Sequence, residues 1–257
     1  MTPAEAGAAL RRMHTEDDLL QVVNVWDVAS ARTIAALPET RAVATASRSI
    51  AAVFGYPDGE RMPVELMLDL TGLIARAVDV PVSADLESGY GSPGETVRRA
   101  IGVGVVGANL EDAMRPLPES AAAVAAAVAA ADAEGVPFAL NARTDVWLTG
   151  GERTRADRSG EAIERGRAYL DAGATCVFVP GDLGEDDIAE LVDGIGWRRV
   201  SVIGFPAVPP PDRLVELGIA RISYGPAPHR VALEALQDLA TMLHRGGVLP
   251  PAIRTLN

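Results

Sequence analysis

The run Val82-Ser83-Ala84-Asp85-Leu86-Glu87-Ser88-Gly89-Tyr90-Gly91 is followed, one helical spacer later, by Val105-Val106-Gly107-Ala108-Asn109-Leu110-Glu111-Asp112. Each is a short strand-like segment that runs out onto acidic residues and then breaks. Carboxylates gathered just past consecutive strands have an obvious chemical use, which is to hold a hard divalent cation such as Mg2+ through oxygen. A cation held there can polarise a carboxylate-bearing substrate. Asp85, Glu87 and Glu111 are therefore the candidate metal ligands, the alternative for the first two being loop residues that cap a helix starting near Pro93.

The same unit repeats outward in both directions. Strand-like runs fall at 21–25, 42–46, 82–86, 105–110, 138–142, 175–179, 200–203 and 220–223, with helically spaced stretches between them. Turn residues close those stretches, as in Gly135-Val136-Pro137 and Asp171-Ala172-Gly173-Ala174. Eight parallel-type units predict an α/β fold, a (β/α)8 TIM barrel, with a doubly wound open sheet as the alternative. No linker or shift in composition divides the chain, so 1–257 is expected to be a single domain, with 230–257 as its C-terminal helix and arm. The Ala-rich stretch 120–133, with Val124 and Val128 four apart, reads as an outer helix with a narrow buried stripe.

In a barrel, function belongs at the carboxyl ends of the strands. The third, fourth and fifth ends supply acid, acid and arginine: Asp85/Glu87, Glu111/Asp112 and Arg143/Asp145. Arg143 has two open readings, a two-pronged bond to a substrate carboxylate or a structural salt bridge to Glu111 or Asp145. Taken alone, Glu111-Asp112 reads as a solvated strand end, and Pro57-Asp58-Gly59 as a turn. Trp26 and Asp27 close the first strand as mouth-lining or helix-capping residues. Cys176 sits in mid-strand as a small buried hydrophobe. His14, His229 and His244 all fall in helical stretches away from the strand ends.

Composition excludes several classes. Every one of the 23 basic residues is arginine. Without lysine there is no Schiff-base aldolase, no lysine-linked pyridoxal enzyme and no P-loop. The net charge of −12 argues against nucleic acid and anionic membranes as partners. A lone cysteine forbids an internal disulfide and a Cys-based zinc site. The longest apolar run, 121–131, is far shorter than a membrane span, and a soluble cytoplasmic protein is the expectation.

Taken together, Asn24-Val25-Trp26-Asp27, Ala44-Thr45-Ala46-Ser47, Phe54-Gly55-Tyr56-Pro57-Asp58-Gly59, Ala84-Asp85-Leu86-Glu87-Ser88-Gly89-Tyr90-Gly91, Asn109-Leu110-Glu111-Asp112 and Ala142-Arg143-Thr144-Asp145 resemble the isocitrate lyase/phosphoenolpyruvate mutase superfamily. The resemblance covers nearly the whole chain, and its specificity lies in the order and spacing of these short segments. It implies a Mg2+ ion held by Asp85, Glu87 and Glu111, with Glu87 standing where an Asp is usual and reaching further. It also implies that Thr45, Ala46 and Ser47 cradle a substrate oxyanion, that Arg143 binds a small carboxylate substrate, and that Asp58 belongs to a mobile gate beside the ion. Trp26 is counted among the substrate contacts, and the candidate proton carriers are Tyr90 and a metal-bound water. The implied chemistry is making or breaking a bond to C3 of a pyruvate enolate. The implied assembly is a homodimer or homotetramer that exchanges its last helix between subunits.

Two departures qualify the resemblance. The lyases carry a Cys-containing acid loop after the fourth strand, whereas this chain has Ala113-Met114-Arg115-Pro116-Leu117-Pro118. Past the seventh strand, Gly204-Phe205-Pro206-Ala207-Val208 implies a more apolar pocket wall. The expected activity is a Mg2+-dependent carbon–carbon lyase, with C–P chemistry less favoured. The alternatives are a hydrolase of oxaloacetate or a phosphonopyruvate-like compound, a phosphonomutase, and a non-catalytic carboxylate-binding barrel.

Overall fold

β-Branched runs bounded by glycine and proline become parallel strands in the computed structural model, which describes residues 1–149, 151 and 153–253. The strands are β1 (Leu20–Val22), β2 (Asn24–Val25), β3 (Val43–Thr45), β4 (Val82–Asp85), β5 (Gly107–Glu111), β6 (Ala139–Arg143), β7 (Cys176–Phe178), β8 (Val200–Ile203) and β9 (Ile219–Ser223). They form one ladder in the order β1-β9-β8-β7-β6-β5-β4-β3-β2. Only Val23 separates β1 from β2, so the two ends of the ladder belong to one interrupted strand and the sheet closes on itself. The fold is the expected (β/α)8 TIM barrel, with its first strand split between two neighbours.

Asn24 seals that seam. Its side-chain N–H donates to the Thr45 carbonyl at 2.9 Å, and its side-chain oxygen accepts from the Tyr224 N–H at 2.8 Å. One buried amide thus satisfies a backbone group on each flank of the split strand, where the ladder bonds are interrupted.

The outer ring consists of α2 (Val28–Ala35), α3 (Ser47–Val53), α4 (Val64–Ala77), α5 (Pro93–Gly102), α6 (Leu117–Ala133), α7 (Val146–Thr149), α8 (Arg155–Asp171), α9 (Glu185–Ile195), α10 (Pro211–Glu216) and α11 (Ala227–His244). The Ala-rich stretch is α6, and it buries Ser120, Val124, Ala127 and Ala131 along one stripe, with Val128 partly buried. A preceding helix, α1 (Pro3–Met13), is capped by Thr2 and Glu5 and lies across the amino ends of the strands. Gly107 permits that approach, because a Cβ there would come within 2.7 Å of Leu10 and 2.8 Å of the Ala139 carbonyl.

Inside the barrel the core is not uniformly apolar. Arg221 is wholly buried, with its guanidinium pushed down to about 10 by burial, and it donates to Ser83 at 3.2 Å. The terminal arm beyond α11 is expected to reach residue 257, and 254–257 lie outside the described residues. Among the described residues no helix is long and apolar enough to cross a membrane.

Candidate active site

The carboxyl ends of the strands surround a cavity of about 310 Å3. On one side it is lined by Ala46, Ser47, Asp58, Asp85, Asn109 and Arg143, and on the other by Phe178, Ile203 and Phe205. The apolar wall expected from the end of the seventh strand is present as Ile203 and Phe205.

Asp85 ends β4 and points across to the start of α3. One of its carboxylate oxygens accepts from both the Ser47 N–H at 3.0 Å and the Ser47 hydroxyl at 2.9 Å. The Asp85 N–H donates in turn to the Thr45 hydroxyl at 2.9 Å. The expected oxyanion cradle is therefore partly committed already: Thr45 is buried as a strut for Asp85, and the Ser47 N–H is used. Ala46 and Ser47 still face the cavity.

Strand register brings Glu111 and Arg143 side by side. Arg143 bonds Glu111 through Nη1 at 2.8 Å and Asp145 through Nε at 2.6 Å. Both salt bridges of its structural reading form, and the side chain also lines the cavity. Burial pushes the Glu111 carboxyl up to about 8; Arg143 opposes the shift, and the charges of Asp85, Asp145 and Glu87 add to it. Asp145 is raised for the same leading reason.

Glu87 does not line the cavity. The chain turns at this residue, which has φ 49°, and its two carboxylate oxygens accept from the Tyr90 hydroxyl at 3.0 Å and from the Glu60 N–H. Burial pushes its carboxyl up to about 7; the bonds from Tyr90 and Glu60 resist, and the charges of Asp85 and Asp58 reinforce the rise. Tyr90 lies outside the cavity, with its phenol held well above the ordinary range by burial and by Glu87. Its hydroxyl is committed to Glu87.

Asp58 lines the mouth and pairs with Arg48 of α3 at 2.9 Å in an exposed ion pair. Trp26 faces elsewhere. It stacks on His229, with ring centroids 4.5 Å apart, in a separate groove lined by Asp27, Ile34 and Pro228. Asp27 caps α2, taking the helix-capping alternative.

Asp112 is a residue whose role the sequence concealed. Far from solvated, it is 3% exposed and accepts from the N–H groups of Met114 and Asp145, from Arg165 and from Tyr169. It fixes the loops after β5 and β6 together. Its side-chain partners lie on α8, more than fifty residues along, so no local pattern could have revealed them. Residues 113–116, where the lyases carry their acid loop, form a tight connection that contributes nothing to the cavity. Ala113 and Met114 there take positive φ, 46° and 56°.

The fit of this site to a divalent cation can be judged from its donors and its charge. All the acids supply hard oxygen, and the charge of Asp85 adds to the rise of both Glu87 and Glu111, so the cluster is short of positive charge. A cation would relieve that deficit. The side chains are not gathered as a ready-made cage: among the described residues no three His, Cys, Asp or Glu groups stand together as a ligand set. Asp85 is the one of the three that faces the cavity, with Glu111 behind it against Arg143.

Comparison with known proteins agrees with this fold. A family model described as phosphoenolpyruvate phosphomutase matches residues 10–244. A solved Burkholderia cenocepacia structure, described as a candidate phosphonomutase, is 39% identical, covers 95% of this chain and 100% of its own, and superposes with a TM-score of 0.86. The 2,3-dimethylmalate lyase of Eubacterium barkeri is 28% identical over 92% of this chain and 85% of its own. A structure of oxaloacetate acetylhydrolase with its product oxalate is 26% identical, covers 98% of this chain and 90% of its own, and has a TM-score of 0.85. With a barrel, a mouth of carboxylates and arginine, and a family match across most of its length, the chain belongs to the phosphoenolpyruvate phosphomutase family, in the isocitrate lyase/phosphoenolpyruvate mutase superfamily, and is an enzyme of the carbon–carbon lyase or phosphonomutase type.

Proposed function

We propose that the enzyme breaks or makes a carbon–carbon bond next to a 2-oxo acid through an enolate-like anion. The observation that carries this reading is the two-sided cavity, with Asp58, Asp85 and Arg143 facing Phe178, Ile203 and Phe205. Arg143 takes the substrate carboxylate. Its Nη1 and Nε are fixed by Glu111 and Asp145, which holds the guanidinium plane and leaves Nη2 for the ligand. The apolar wall receives the substituent on the other side of the breaking bond.

As that bond breaks, its electron pair delocalises onto the carbonyl oxygen. Ala46 and Ser47 line the wall where this charge develops, beside the Asp85 carboxylate that already takes the Ser47 N–H. Mg2+, held by Asp85 with Glu111 behind it, would supply a positive charge beside that oxygen. Asp58 is the remaining cavity carboxylate, and we assign it the proton transfer.

The test is turnover of a panel of 2-oxo and 2-hydroxy acids with Mg2+, coupled to pyruvate detection. The expected result is cleavage of at least one branched member and loss of turnover in Asp85→Ala. Unchanged turnover in that variant would refute the assignment.

A second reading is hydrolysis of an oxaloacetate-like or phosphonopyruvate-like substrate. The 113–116 loop favours it, because it brings no acid to the cavity. Oxalate and acetate, rather than pyruvate, as the products from oxaloacetate would select it. We further propose a homodimer or homotetramer. The 18-residue α11 buries none of its residues and exposes Leu233 and Leu236 on one face, leaving it for a second copy of the chain.

A further inference from the structure

We propose that Glu60 and Glu87 form a latch that ties the 54–62 loop to the turn after β4, making Glu60 the positioning residue that sets Asp58 at the cavity. The inference rests on the reading of the mouth as the reaction site, and it gives Glu87 a task other than ligating metal.

The contacts run in both directions. One carboxylate oxygen of Glu60 accepts from the Ser88 N–H at 3.1 Å, the Ser88 hydroxyl at 2.7 Å and the Tyr90 N–H at 2.7 Å. The Glu60 N–H donates back to Glu87, whose other oxygen accepts from the Tyr90 hydroxyl at 3.0 Å. Hydrogen bonds to an ionised acceptor are the stronger kind, and three of them converge on a single oxygen here.

Backbone geometry marks the same spot. Glu60, Glu87 and Tyr90 have φ of 58°, 49° and 50°, a region side-chain-bearing residues rarely adopt. Such conformations persist where surrounding contacts over-determine them, and the latch supplies those contacts. Asp58 itself is tied by the Asp58–Arg48 pair, with side chains 36% and 67% exposed, while the loop's ends are held by the Tyr56 N–H on the Ala51 carbonyl at 2.9 Å and by the buried Met62. Exposed ion pairs hold little. The latch, two residues from Asp58, is therefore what fixes the height of Asp58 over the cavity. Both Glu87 oxygens are already used in it, so Glu87 can serve the loop or the ion but not both with the same atoms.

Amide hydrogen exchange tests this without substrate or metal. The N–H groups of Ser88 and Tyr90 bond to the Glu60 carboxylate, whereas the Gly89 N–H between them bonds to the Leu86 carbonyl at 3.0 Å and serves as the internal control. Asn tolerates positive φ and is too short to reach. In Glu60→Asn, exchange at Ser88 and Tyr90 is expected to accelerate tenfold or more while Gly89 changes less than threefold. Glu60→Gln, which keeps a side-chain carbonyl, should restore protection at both.

Smaller acceleration at Ser88 and Tyr90, equal acceleration at Gly89, or no rescue by Gln would overturn the latch. Should the Asn variant not fold, Ser88→Ala removes one donor and must accelerate Tyr90 in the same selective way. Titration of Glu87→Gln with Mg2+ alone should weaken binding by less than tenfold; a greater loss would return Glu87 to the ion and overturn the proposal. If Asp85→Ala binds Mg2+ like the parent, the reading of the mouth fails, and the exchange result still decides the latch.

Discussion

Arg165 of α8 reaches beneath the mouth and meets Asp112 at 3.2 Å, both side chains almost completely shielded from water. The pair joins the outer helix to the loop that follows Glu111 and the loop that carries Asp145. Removing one partner of a buried ion pair strands the other charge, which costs about 3–5 kcal/mol. Arg165→Met should lower stability by that order in chemical denaturation. Tyr169→Phe, which leaves Arg165 on Asp112, should cost about 1–3 kcal/mol. Equal losses in the two variants would show that the charge of Arg165 is not what matters.

Turning to acid, the wholly buried His14 gives a signed prediction. Burial, reinforced by Arg221, pushes its imidazole down to about 3 from 6.5, and its Nδ1 bonds to the Leu10 carbonyl at 2.8 Å. The folded state therefore keeps it neutral where the unfolded chain takes up a proton. Its contribution is fully present above pH 6.5 and is lost as pH falls toward 3, at about 1.4 kcal/mol per pH unit. The raised carboxyls of Glu87 and Glu111 act in the opposite sense, so the parent alone mixes the effects. The difference between parent and His14→Leu isolates the histidine. The parent should lose stability relative to the variant below pH 6.5, and parallel curves would exclude the assignment.

How much of this was legible beforehand depends on where each residue's partners lie. Strand runs announce themselves by local β-branched content, and all eight fell within a few residues of the observed strands. The split at Val23 did not, because it answers to neighbours on both sides of the seam. Asp85 and Arg143 could be picked out because the end of a barrel strand is itself a position. Glu87 misled because one residue of left-handed backbone turns its side chain from the cavity to Glu60. Asp112 and Arg221 were invisible for a simpler reason: their burial is set by segments 53 to 138 residues away.

Metal affinity should depend on pH through Glu111. Its carboxyl is pushed up to about 8 without an ion, and a cation needs it ionised. Binding of Mg2+ should therefore strengthen about tenfold per unit as pH rises from 6 to 8 and level off above, with one proton released. Calorimetry in buffers of different ionisation enthalpy would count that proton. Glu111→Gln should bind more weakly and flatten the slope, whereas a slope retained in that variant would assign the proton to another group.

Substrate choice should depend on Arg230. Of the three arginines lining the cavity, Arg48 is paired with Asp58 and Arg143 with Glu111 and Asp145, while Arg230 has no ion pair among the described residues. It enters from the first turn of α11 and is free to meet a second anionic group. The chain-length-matched pair 2-oxoglutarate and 2-oxopentanoate, used as competing ligands, isolates that group. The parent should prefer the dianion by about tenfold, the lower end for a charge-assisted bond at a partly exposed side chain. Arg230→Gln should erase the preference and leave 2-oxopentanoate binding unchanged.

The exposed face of α11 yields the last expectation. A helix of 18 residues that buries none of them in its own chain has little reason to hold its place alone, since most helical stability comes from packing an apolar face. A second copy covering Leu233 and Leu236 would supply that packing. Light scattering should give a dimer or tetramer, and Leu236→Glu should shift it toward monomer at micromolar concentration. Because Arg230 lies at the root of the same helix, the variant should also weaken the dianion preference described above. A monomeric parent, or an assembly indifferent to Leu236→Glu, would mean that this face is not the contact.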